Sequence, residues 1–84
     1  MKALKRVCIT YHMQTMISKP SDSIREYDTA ESCIVIPMVE EIANDILQKQ
    51  ASSLHVPRIL LNELASYQGY ENGIFVMAEE VKLT

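Results

Sequence analysis

At 84 residues the chain has material for one small domain, 1–84, and too little for two separate cores. An apolar share of 48% and a charged share of 23% are those of a folded globular domain and exclude a disordered chain. Eight basic residues against eleven acidic ones leave a net charge of −3, which argues against a direct nucleic-acid binder with its basic face.

Residues 5–17, KRVCITYHMQTMI, alternate. Val7, Ile9, Tyr11, Met13 and Ile17 point one way, and Arg6, Thr10, His12 and Gln14 the other. A period of two with β-branched residues predicts a half-buried strand. SKPSDS, 18–23, reads as a loop around Pro20. A second strand is expected over about 24–36. Its end, CIVI, is apolar on both faces and reads as a strand that is central or covered on both sides.

Pro37 suits the first turn of a helix, where a missing N–H costs nothing. Val39, Ile42, Ala43, Ile46 and Leu47 then recur on one helical face. Glu40 and Glu41 fall in the first turn, where the helix dipole favours negative charge by roughly 0.3–1 kcal/mol each. QASS, 50–53, breaks the pattern. VPRILLNELASYQG offers a second helix, with Pro57 in its first turn, Leu60, Leu61 and Leu64 on one side, and Gly69 as its stop. Leu, Glu and Ala over 60–65 favour that helix. The competing reading of the segment is a strand, because Asn72-Gly73 is a hairpin signal. Residues 74–83 read as a last strand. The order β-β-α-α-β predicts an α+β domain: a small antiparallel sheet with two helices on one face.

No apolar run is long enough to cross a bilayer. MKALKRVCITYHMQ is interrupted by Thr10, His12 and Gln14 and does not read as a signal peptide. Two cysteines make no disulfide framework. A cytoplasmic protein with reduced thiols, and no membrane partner, is the expectation.

Catalytic machinery is hard to assemble from these residues. His12 and His55 are the two histidines. Cys8 and His12 share a strand face but stand about 13 Å apart, too far to hold one metal. Cys8 and Cys33 read as small buried residues on neighbouring strands. Gly69 and Gly73 cannot build a phosphate-cradling loop and read as a helix stop and a turn. Catalytic residues, metal ligands and cofactors are therefore assigned to none. The chain reads as a non-enzyme.

ESCIVIP, 31–37, and VEEIANDIL, 39–47, carry a resemblance. The first resembles the Glu-Ser strand of phage-type uracil-DNA glycosylase inhibitors, with Cys33 where that pattern has isoleucine. The second is similar to the acidic helix of the staphylococcal type. The resemblance implies a DNA mimic whose Glu31 and Ser32 enter the enzyme's DNA groove. It makes Cys33 the third motif position and Glu40 and Glu41 auxiliary acids. It also implies an apolar pocket that receives a side chain of the enzyme.

Function is expected to be that of a small inhibitor that binds and blocks a nucleic-acid-processing enzyme of the host. Another phage-type inhibitor of host defence, such as an anti-CRISPR protein, fits the same size and composition. A third reading is a structural or regulatory module that forms a homodimer, with the strand at 5–17 adding to a partner's sheet.

Overall fold

The computed structural model describes residues 4–17, 26–50 and 53–82. Strand β1 (Leu4–Ile17) pairs antiparallel with β2 (Glu26–Val39) along its whole length. β2 runs directly into helix α1 (Glu40–Lys49). Helix α2 (Arg58–Tyr67) follows, and β3 (Asn72–Val81) returns along the other side of β1. The sheet order is β2-β1-β3, and both helices pack on one face, so the expected β-β-α-α-β domain is the fold. The expected loop at 18–23 and the proposed strand residues 24–25 and Leu83 lie outside the described residues.

Alternation in β1 sets the two faces. Val7, Ile9, Tyr11 and Met13 are buried under the helices. Ala43 and Ile46 of α1 and Leu61 and Ala65 of α2 close over them, with Val56 and Ala78 at the margins. β2 contributes Ala30, Ile34, Ile36 and Met38, each partly buried against this cluster. The Tyr11 hydroxyl, buried with the ring, accepts a hydrogen bond from Gln68 Nε2 at 3.1 Å. Gln68 Nε2 also donates to Ser32 Oγ at 3.3 Å, which ties the end of α2 to both long strands.

Five expectations about these elements need correction. Pro37 is not in a helix: it lies in β2 opposite Arg6, and α1 begins at Glu40 with Val39 as its N-cap. An edge strand tolerates a residue without an N–H, because one side of its ladder is unused. CIVI is not a central strand. β2 is an edge, and its residues are apolar on both sides because Ile34 and Ile36 meet the helices while Cys33 and Val35 stay exposed opposite.

The strand at 5–17 is the central strand, paired with β2 along its length and with β3 over Arg6–Gln14, so it is not the sheet edge that could add to a partner. Gly73 is not in a turn. It is the second residue of β3, buried, and a β-carbon there would overlap the Leu61 carbonyl of α2. Its N–H donates to Asn62 Oδ1 at 2.9 Å, so the missing side chain lets helix and strand touch. Gly69, by contrast, has φ +89° after α2 and is the expected stop. Pro57 stands one position before the helix, as its N-cap.

Candidate protein-binding face

Among the described residues nothing covers the face of the sheet away from the helices, and the register arranges that face in rows. Pro37, Arg6 and Val81 form the first row across β2, β1 and β3. Val35, Cys8 and Glu79 form the second, and Cys33, Thr10 and Met77 the third. Glu31, His12 and Ile74 form the fourth.

A β-bulge gives this face more apolar surface than alternation allows. Thr10 pairs with Met77 and Tyr11 with Phe75, so Val76 is the extra residue. One added residue flips the sense of the strand beyond it. Phe75 is half-buried and Ala78 buried on the helix side, while Val76 and Met77 both remain outside it, 43% and 38% exposed. With Val35 at 47% and Ile74 at 39%, the middle of the sheet carries an exposed apolar patch. Polar groups rim it: Arg6 and Glu79 toward one end, His12 and Glu31 toward the other.

Glu31 is one of two expected site residues on this face. It stands opposite His12, and Nε2 of that ring lies 3.1 Å from Glu31 Oε2. Ser32 does not join it. As the next residue in a strand it points to the helix side, where it meets Gln68. Cys33 returns to the open face and is exposed. Cys8 is half-buried on the same face, so the expectation of two buried cysteines is corrected. Burial first, then the adjacent Cys33 thiol and the Glu79 carboxylate, hold the Cys8 thiol above its ordinary range.

Glu40 and Glu41 are exposed at the start of α1. They are separated from Glu31 by the rest of β2, on the order of 30 Å of extended chain. Glu40 faces Lys5 Nζ at 3.9 Å, and the same ammonium donates to Asn44 Oδ1 at 2.9 Å and lies 3.7 Å from Glu80. The five expected residues thus fall on three surfaces: the open face, the helix side and the start of α1.

An apolar cleft of about 380 Å³ lies beside β3, lined by Val56, Arg58, Leu61, Gly73, Ile74 and Phe75. Ile74 lines it and also belongs to the open face. Among the described residues no group of three or more His, Cys, Asp and Glu side chains is placed to hold a metal ion. No described helix is long and apolar enough to cross a membrane.

Sequence reasoning missed this face. Val35 reads as part of a strand central or covered on both sides, and the exposure of Val35, Val76 and Met77 depends on the edge position of β2 and on the bulge, neither of which has a local signature. Comparison with protein-family models, with curated proteins and with solved structures finds no match.

Proposed function

We propose that this chain is a small non-catalytic binding protein that blocks a partner protein by docking the open face of its sheet against it. The supporting observation is the exposed patch of Val35, Ile74, Val76 and Met77 with the Glu31–His12 pair set into its border. Apolar residues ringed by polar ones are the anatomy of a protein interface. The patch supplies desolvation energy, and Glu31 supplies a directional charge. A nucleic-acid-processing enzyme is the proposed target class, with Glu31 as the acid nearest the contact. Contact through this patch draws more support from the surface than phosphate imitation does, because the acids are dispersed.

The test is uracil excision by a bacterial uracil-DNA glycosylase, and then a panel of nucleases and other DNA-processing enzymes. Each is assayed with the chain and with its Val35→Asp and Glu31→Lys variants. Stoichiometric inhibition by the natural sequence, lost in Val35→Asp and weakened in Glu31→Lys, is expected for one member of the panel. Absence of binding to every member at low salt rejects the target class. Inhibition that survives Val35→Asp rejects the face.

A second reading has its own observation. β2 is a fourteen-residue edge strand, and a free edge of that length is a template for another strand. Two copies joined through β2 would make one continuous sheet. Sedimentation decides this: a concentration-dependent dimer supports self-association, and a monomer at all concentrations rejects it.

A further inference from the structure

We propose that Cys8 and Cys33 are a dithiol pair that closes reversibly into an intramolecular disulfide by exchange with a small-molecule disulfide of the glutathione class. The register places Cys8 opposite Val35 and Thr10 opposite Cys33, so the two cysteines are diagonal neighbours on the same open face. Diagonal neighbours on an antiparallel pair stand about 7–8 Å apart, with their side chains somewhat closer. Here the two thiols are near enough that Cys33 helps to raise the proton affinity of Cys8. No other thiol is present in the chain, so each cysteine has one intramolecular partner.

The two thiols differ in access, and that orders the exchange. Cys33 is exposed on the edge strand and meets the incoming disulfide first. Its thiolate attacks one sulfur of oxidised glutathione; a Cys33–glutathione bond forms, and one glutathione thiolate leaves. Cys8 then gives its proton to solvent and attacks Cys33 Sγ. The Cys8–Cys33 bond forms, and the second glutathione thiolate leaves. Two electrons pass from the protein dithiol to glutathione, and both glutathione thiolates take up protons.

The second step is intramolecular, which favours closure over retention of the adduct. Burial above all, with the Cys33 thiol and Glu79 beside it, holds Cys8 in its thiol form, so Cys33 reacts first and Cys8 resolves. A bridged cystine usually needs α-carbons 4.4–6.8 Å apart, a little nearer than a diagonal pair. Closure therefore draws the middle of β2 toward β1, and a bond formed under that load is readily reduced.

The test is intact-mass analysis of the full chain after incubation with graded ratios of oxidised to reduced glutathione. The expected product is a monomer lighter by two hydrogens, with no glutathione retained, which returns to the starting mass on excess reduced glutathione. Cys8→Ser is expected to hold one glutathione on Cys33, because the resolving thiol is gone. Circular dichroism of the variants confirms that the sheet is kept. The proposal is overturned if the natural sequence retains a stable glutathione adduct with Cys8 still alkylatable. It is equally overturned if oxidation joins two copies, or if the mass does not change at any ratio.

Discussion

Gly73 has no room for a β-carbon. The Leu61 carbonyl and side chain of α2 occupy the space where one would project. Gly73→Ala is expected to destabilise the domain by about 1–3 kcal/mol, because either the helix or β3 must shift. Gly69 is constrained differently: the space around it is open, but its φ of +89° is rare for other residues. Asn tolerates that backbone region, so Gly69→Asn is expected to lower the urea midpoint only slightly and Gly73→Asn to lower it severely. Equal losses would mean that one mechanism serves both sites.

Gln50 is the other residue whose role lies in its backbone. It has φ +51°, and its side-chain amide pairs with β3: Ala78 N–H donates to Oε1 at 3.0 Å, and Nε2 donates to the Ala78 carbonyl at 3.4 Å. Nε2 also donates to the Leu47 carbonyl at 2.7 Å. Gln50→Ala keeps the unfavourable φ and loses these bonds, at about 1 kcal/mol for each net hydrogen bond. Gln50→Gly loses the same bonds but relieves the backbone, so its melting temperature is expected to lie above that of Gln50→Ala. Gly69 was legible because a helix stop is a local event. Gly73 and Gln50 were not, because what constrains each is a distant segment: α2 for one, β3 for the other.

The elements themselves were legible wherever a period ran long enough. β1 follows from strict alternation, and both helices follow from apolar spacing. The boundary between β2 and α1 did not, because a proline before a helical pattern reads equally as the first turn or as the last part of an edge strand. Only the pairing of Pro37 with Arg6 decides it. A contact between elements also escaped the sequence. Asp45 of α1 binds Lys49 one turn on at 2.8 Å, accepts from the Ser53 hydroxyl at 3.2 Å, and stands 3.5 Å from His55 Nε2. Ser53 is buried, and its Oγ accepts from the His55 N–H at 3.2 Å, so one carboxylate fastens α1 to the connection leading to α2.

The Lys49 hydrogen bond above all, aided by Ser53 and His55, holds the Asp45 carboxyl below its usual range. A lowered carboxyl binds fewer protons in the folded chain than in the unfolded one. Its contribution is therefore complete above the unfolded value of about 3.9 and is lost as pH falls through the folded value. The natural chain is expected to lose stability more steeply below about pH 4 than Asp45→Asn does. Urea midpoints followed from pH 6 to pH 2.5 read this directly. Parallel curves would remove Asp45 as an acid-sensitive tie.

At the scale of the whole molecule, the two layers formed by the described residues leave one side of the sheet without a cover. The chain extends 59 Å by 24 Å by 18 Å, a long ribbon braced by two ten-residue helices on one side. Antiparallel sheets of this kind commonly present a polar outer face to water. This one presents Val35, Ile74, Val76 and Met77 instead. None of the four belongs to the buried cluster. Their removal is therefore expected to leave folding nearly untouched. Val35→Thr keeps the β-branched shape, and Met77→Gln keeps the length, so each is expected to change unfolding free energy by no more than about 0.5 kcal/mol. The same pair of changes removes apolar contact from two adjacent rows of the face and is expected to abolish capture of the partner. A residue kept for packing behaves the other way: Ile9→Ala, at the centre of the core, is expected to cost about 2–5 kcal/mol. Differential unfolding in urea, run beside the binding assay, separates the two classes. If Val35→Thr and Met77→Gln unfold as easily as Ile9→Ala, the face is a structural surface, and its exposure serves no partner.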